Sequence, residues 1–257
     1  MTDLAAIATH LDTLLGTSSI PDYPGALNGL QLANRQPIAR VAASVDISRR
    51  VIDRALAAKA NLLVVHHGMF WGGPQPIVGA AYDRLRLLMA HDVAVYASHL
   101  PLDAHPSLGN NVLLARTLGL EPGDGFARYK TIDVGVQGSS DVETVELRDR
   151  ADAFARTHGG SVRCSPIAPG RRTRRWGICT GAGASSETLL EAQSKGIDTL
   201  IVGEGPHHTA VAADDAGIVI IYAGHYATET LGVRALAEHL TATFAIPSTF
   251  IDAPTGL

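Results

Sequence analysis

Leu4, Ile7, Ala8, Leu11, Leu14 and Leu15 recur at the spacing of one helix face, and the turn-rich stretch 16–24 ends that helix. Asn28-Gly29 has the composition of a tight turn. From Arg40 to Val45 apolar and polar positions alternate, which predicts a strand. Ser48 stands where an N-cap belongs, ahead of a helix over 49–59 whose apolar face is Val51, Ile52, Ala55 and Leu56. Leu62-Leu63-Val64-Val65 is apolar throughout, as in a strand covered on both faces of a parallel sheet, and it ends in His66-His67-Gly68. After a loop at Gly72-Gly73-Pro74 the pattern predicts a helix over 82–91 and a strand over 93–97 that ends at His99. Pro101 and Pro106 exclude a regular helix through 103–111; a helix follows over 111–118, and 119–125 is the best linker in the chain.

The second half repeats the alternation of strand and helix. Strand patterns at 132–136, 177–180, 199–202 and 219–223 flank helical patterns at 145–158, 185–195 and 210–216. Gly177 to Gly183 contains Gly-x-Gly but no full dinucleotide fingerprint, so it is read as a tight strand-to-helix turn. Val41–Val65 and Ile178–Val202 align without a gap at an offset of 137 residues, placing Ser48 on Ser185 and Leu63-Val64-Val65 on Leu200-Ile201-Val202. At an offset of 126, Tyr96-Ala97-Ser98-His99 falls on Tyr222-Ala223-Gly224-His225, and Asp103 falls on Glu229. The expectation is an α/β protein of two repeated lobes with largely parallel sheets and a metal cleft between them. The first lobe is placed at 1–124, with the segment 225–257 as a candidate to pack on it, and the second at 125–257.

Composition narrows the classes. Apolar residues make up 46% of 257, enough for a sizeable core without disulfides. Two cysteines, Cys164 and Cys179, suit a reducing compartment. The N-terminal stretch carries Asp3 and Asp12 and lacks a basic leader region, and no apolar run approaches a membrane span, so a cytoplasmic location is expected. A net charge of −4 gives no case for nucleic acid over the whole surface. The basic cluster Arg171-Arg172-Thr173-Arg174-Arg175 is read as a solvated turn before an anion site.

The chemistry collects at strand ends, where functional groups gather in parallel sheets. His66, His67, Asp103, His225 and Glu229 offer the mixed imidazole and carboxylate donors that suit Zn, Fe, Mn or Co, and five ligands exceed the need of one catalytic zinc. Adjacent histidines on an extended segment point to opposite sides and serve two ions more easily than one, with Asp103 or Glu229 as a bridge. Two such divalent ions activate water for hydrolysis. His99 is weighed evenly as a structural residue or a site group. His207 and His208 are read as groups that support ligands or touch substrate, and with His99 they are the candidates for proton transfer. Phe70 and Trp71 are candidate walls for a planar ligand, with core packing as the alternative, and Asn28 and Glu204 join them as candidate pocket residues. His10, His91, His105, His158 and His239 are read as incidental.

The runs Asn28-Gly29-Leu30-Gln31, Val64-Val65-His66-His67-Gly68, Ser98-His99-Leu100-Pro101-Leu102-Asp103, Gly203-Glu204 with His207-His208, and Gly224-His225-Tyr226-Ala227-Thr228-Glu229 resemble the dinuclear-metal-centre family labelled GTP cyclohydrolase 1 type 2 homologues. The resemblance runs from the first helix to the C-terminus and is to the short form without an inserted domain. It implies two repeated lobes, a toroidal homohexamer and two metal ions on His66, His67, Asp103, His225 and Glu229, with Glu229 as the bridge. His99 falls where the family has a site histidine that need not bind metal. Gly205-Pro206 departs from the bulkier pair expected before His207-His208. The leading expectation is a metal-dependent hydrolase that opens a cyclic C–N bond in a nucleotide-like heterocycle. The alternatives are a non-catalytic metal-binding assembly or adaptor protein and a ring that binds single-stranded nucleic acid.

Overall fold

A computed structural model describes residues 2–73 and 75–256, so Pro74 of the expected Gly72-Gly73-Pro74 loop lies outside the described residues, as do Met1 and Leu257. In chain order the first elements are α1 (Leu4–Leu15), β1 (Gly29–Leu32), β2 (Val41–Asp46), α2 (Arg49–Ala57), β3 (Leu62–His67), α3 (Gly79–Ala90), β4 (Ala94–Ala97), α4 (Leu100–Asp103) and α5 (Asn110–Thr117). They continue with β5 (Gly125–Tyr129), β6 (Ile132–Glu143), α6 (Thr144–Thr157), β7 (Arg163–Cys164), β8 (Arg172–Cys179), α7 (Ser186–Ser194) and β9 (Thr199–Val202). The last are α8 (His207–Asp215), β10 (Val219–Tyr222), α9 (His225–Thr228), α10 (Thr230–Phe244) and β11 (Ser248–Phe250). The chain divides into two compact units, Met1–His105 with Gly232–Ala253, and Pro106–Leu231 with Pro254–Leu257.

The first unit is built on a five-stranded sheet of order β1-β4-β3-β2-β11, in which β4, β3, β2 and β11 run parallel and β1 is the antiparallel edge. Val41 to Val45 is buried at every position instead of alternating, because the parallel strands are covered on both faces. Even Ser44 lies inside, donating its hydroxyl to the Ile251 carbonyl at 3.1 Å. Gly29, expected in a turn, opens β1 with φ +105, a conformation that glycine adopts without strain. The single turn α4 starts with Pro101 in its first turn, where an N–H would have had no helical partner, so the proline is compatible with this turn.

In the second unit the order is β5-β6-β8-β9-β10-β7, with a parallel centre of β8, β9 and β10 and antiparallel neighbours on both sides. The period of two in β9 sends Ile201 to a core with Trp176, Leu147 and Leu114, and Leu200 and Val202 to a second core with Phe126 and Leu189. The stretch expected as a linker, 119–125, lies inside this unit: Leu118 and Leu120 are in its core, and the Gly123 N–H bonds the Gln137 carbonyl. The division therefore falls at His105/Pro106, ahead of α5. The arginine cluster is not a turn. Arg172 opens β8, where Thr173 points inward and Arg172 and Arg174 pair with Asp141 on the neighbouring strand.

Each unit contains a strand–helix–strand–helix–strand run with three parallel strands, β2-α2-β3-α3-β4 and β8-α7-β9-α8-β10. The helices α2 and α7 are capped alike: Ser48 Oγ accepts from Val51 N–H and Ser185 Oγ from Thr188 N–H, each a bond of about 1 kcal/mol. No helix among the described residues is long and apolar enough to cross a membrane.

Two of the histidines read as incidental meet in the first unit. His10 on α1 and His239 on α10 stack with ring planes 9° apart and Nε2 atoms 2.8 Å apart, so one shared proton links the helices. Burial, then the neighbouring His10, holds the His239 pKa below its ordinary value; burial, then His239, does the same to His105. The unfolded chain thus binds protons more readily than the folded one, so these groups give their full stability above about pH 6.5 and lose it as pH falls toward the depressed values. The melting temperature is expected to drop between about pH 7 and pH 5, and His239→Gln to flatten that slope; calorimetry across this range checks it, and an unchanged slope would contradict the assignment.

Candidate metal centre

In the first unit three histidines sit at the ends of adjacent parallel strands. His66 and His67 close β3, and His99 follows β4 by two residues. Their ligand nitrogens all lie within 4.8 Å of one another, a group that can hold a metal ion. His66 is fully enclosed, and its Nδ1 lies 2.9 Å from the Ser98 carbonyl. His67 Nδ1 lies 2.9 Å from Asp46 Oδ1, because strand register places Asp46 directly opposite His67. His99 Nδ1 lies 2.8 Å from Asp22 Oδ1. A carbonyl or carboxylate at Nδ1 requires the proton there and turns the Nε2 lone pair toward the site.

Asp22 is itself anchored. Its second oxygen accepts from Asn28 Nδ2 at 2.8 Å and from Leu100 N–H at 2.9 Å. Burial works to raise the Asp22 pKa, but the bonds from His99, Asn28 and the Tyr23 N–H outweigh it and hold the carboxyl below its ordinary value. Asn28 also accepts the His99 N–H at 2.7 Å, so this candidate pocket residue sits behind His99 as a brace. Asp103, buried at the end of α4, places Oδ2 3.4 Å from His66 Nε2.

The second unit carries the other pair. Gly224 turns the chain after β10 with φ +93, and α9 then sets His225 and Glu229 one helical turn apart. His225 Nε2 lies 3.2 Å from the buried Glu229 Oε2, and its Nδ1 lies 2.8 Å from Glu204 Oε1. Burial alone would discharge this imidazole; Glu229 and then Glu204 reverse that and raise its pKa to about 9. Glu204, a candidate pocket residue, is therefore the orienting acid of His225. Gly181, in the glycine turn after β8, has φ +61, and a Cβ there would lie 2.1 Å from Glu229 Oε1. Only glycine lets the turn press against that carboxylate.

The donor set fits a transition metal or zinc. Two ligands of one such ion stand about 3–3.5 Å apart at bond lengths of about 2.0–2.2 Å, as the His66–Asp103 and His225–Glu229 atoms do. His207 and His208 lie exposed in the first turn of α8. Phe70 is half-buried, whereas Trp71 is exposed, with its ring centroid 4.5 Å from that of His99 and 5.1 Å from that of His67. Sequence reasoning missed Asp22 and Asp46. Asp46 carried a usable signal, since it ends the strand beside β3; Asp22 sits in an irregular stretch with none.

The sequence model of Duf34/NIF3 (NGG1p interacting factor 3) matches residues 2–255. The chain is 41% identical over 243 residues to a GTP cyclohydrolase 1 type 2 homolog of Deinococcus radiodurans, covering 91% of this chain and 88% of the relative. A protein of the same name from Pyrococcus abyssi is 38% identical over 98% of both chains. Among solved structures, TTHA1606 from Thermus thermophilus superposes with a TM-score of 0.84 at 34% identity over 100% of both chains.

Gly181→Ala is expected to displace the Glu229 carboxylate and release metal, besides costing about 1–2 kcal/mol for a left-handed alanine. Gly196→Ala is the control, because Gly196 has φ +65 with nothing within 4 Å of a Cβ. Melting temperature and metal content after dialysis check the pair: both variants should melt earlier, and only Gly181→Ala should lose metal.

Proposed function

The chain belongs to the Duf34/NIF3 family, and from that membership and its strand-end donors we propose that it is a dinuclear-metal-dependent hydrolase that opens a cyclic C–N bond in a nucleotide-like heterocycle. His66, His67, Asp103, His225 and Glu229 would hold two divalent ions of Zn, Fe, Mn or Co. The observation that carries the reading is that His66, His67, His99 and His225 each have Nδ1 against a carbonyl or carboxylate, which leaves Nε2 to the site. The name shared by the curated relatives, GTP cyclohydrolase 1 type 2 homolog, supports the reaction class.

The chemistry supplied by two bound divalent ions is a water of lowered pKa and a polarised scissile bond. The chain's own residues supply orientation and proton transfer. His99, fixed by Asp22 and braced through Asn28, moves a proton at Nε2 between the water and the departing nitrogen, since an imidazole nitrogen can both accept and donate one. His207 and His208, on the surface of α8, contact the part of the substrate away from the bond that breaks. The matched helices α2 and α7, with their serine caps, support an internal duplication as the origin of the two units.

The chain assembles, in this reading, as a homohexamer. The exposed apolar stripe of Val78, Tyr82 and Met89 along α3 supports burial against another copy. Light scattering should return six times the 27.0 kDa chain mass, and Met89→Glu should lower it.

Glu229→Gln is expected to reduce turnover of purine or pterin substrates by at least about 100-fold, as loss of a metal ligand does. Steady-state assay over a heterocycle panel, with metal content measured on the same samples, checks this. Full metal with unchanged turnover would remove Glu229 from the reacting site. Bound metal with no turnover of any substrate by the native protein would leave a metal-binding adaptor.

A further inference from the structure

Two exposed aromatic side chains stand beside the histidines with no part in holding metal. Trp71 is 42% exposed and Tyr23 51% exposed. Both border His99, with ring centroids 4.5 Å and 6.0 Å from it, and they meet each other at 6.5 Å with their planes 70° apart. Trp71 also touches the His67 ring, tilted 54° at 5.1 Å. A folding chain gains by burying such rings, and rigid exposed ones are what binding surfaces use.

These rings are held in place. Gly25 packs so closely that a Cβ there would lie 2.3 Å from the Trp71 carbonyl oxygen. The turn that presents Trp71 is closed by Gly73 N–H on the Phe70 carbonyl at 2.8 Å. Gln31 ties its start to the loop that carries Tyr23: its Oε1 accepts the Met69 N–H at 2.7 Å, and its Nε2 donates to the Leu27 carbonyl at 2.8 Å. Tyr23 N–H bonds Asp22 Oδ1 at 2.7 Å, on the same carboxylate that orients His99. The aromatic corner and the proton-transfer histidine are thus one braced assembly, and the ordering cost of binding is already met in the free protein.

We infer that Trp71 and Tyr23 form a stacking subsite for a planar fused heteroaromatic ring, with Trp71 taking the ring's face, Tyr23 its edge, and His99 meeting the atom that gains or loses a proton. This inference rests on the hydrolase reading and assigns its substrate class to two residues. A ring laid on the exposed surface of Trp71 adjoins both His67 and His99, which is where that reaction needs the scissile bond. Edge-to-face contact with Tyr23 selects a flat aromatic ring over a sugar or an aliphatic amide.

Binding separates the subsite from the chemistry. Trp176, the other tryptophan, is fully buried, so saturable quenching of emission by a surface-bound ring reports Trp71. Metal-loaded full-length protein titrated with guanosine and with pterin is expected to show saturable quenching, and ribose none. By calorimetry Trp71→Ala should weaken binding by about 10- to 100-fold, the range for loss of a stacked ring, and Trp71→Phe should restore it to within about threefold. Equal affinity in Trp71→Ala, equal quenching by ribose, or failure of both heterocycles to saturate would overturn the subsite. A saturable complex that is never turned over would sink the hydrolase and leave the subsite standing; turnover with an unchanged KM in Trp71→Ala would do the reverse.

Discussion

An imidazole placed between two hydrogen-bond acceptors needs a positive charge on one side. His225 has Glu204 at Nδ1 and Glu229 at Nε2. His66 has the Ser98 carbonyl at Nδ1 and Asp103 at Nε2. In each case the first acceptor takes the N–H, so the second nitrogen would turn a lone pair toward a buried carboxylate. A proton or a metal ion between them resolves the repulsion, and burial makes water a poor substitute. The rise of His225 to about 9 is the proton's answer to that geometry. A divalent ion is the stronger answer, because it neutralises the acid and satisfies the lone pair together.

The fold delivers this arrangement through strand ends. Parallel pairing sets Asp46 opposite His67, and it carries Ser98 alongside His66 through the Ser98 N–H bond to the Val65 carbonyl. Neither orienting contact needs a long or mobile side chain, so the histidines are fixed by the sheet's own register. In the second unit glycines do the equivalent work: Gly224 takes the positive φ that starts α9 after β10, and Gly181 leaves the volume that the Glu229 carboxylate fills.

What was legible in the sequence follows the same logic. The parallel strands were readable because burial on both faces demands unbroken apolar runs, as in Leu62 to Val65. His66, His67, His99 and His225 were readable because they stand just beyond such runs. The margins of the sheets were not: β5, β7 and β11 are short or mixed in pattern, and their pairing is decided by tertiary contact. Arg171 to Arg175 misled because Arg172 and Arg174 lie on a strand, where they pair with Asp141, while Thr173 between them faces inward. Asp22 could not be read at all. Its partner is His99, 77 positions away, and no local spacing encodes that contact.

The offset of 137 residues that aligns the two helices also carries His67 onto Glu204 and His66 onto Gly203. One position therefore supplies an imidazole in the first unit and an orienting acid in the second. His99 and His225 correspond at an offset of 126, yet each takes its acid from a different place: Glu204 at the end of β9 for His225, and Asp22 in the irregular stretch after α1 for His99. If the halves arose by duplication, the copies have divided the labour. The second copy keeps a histidine and an acid on one helical turn, the pattern of a pair that shares an ion. The first copy adds two imidazoles and ties its third to Asp22 through the loop that also bears Tyr23. In the proposed reaction that divergence suits His99, which adjoins the exposed aromatic corner, to proton transfer more than to holding an ion.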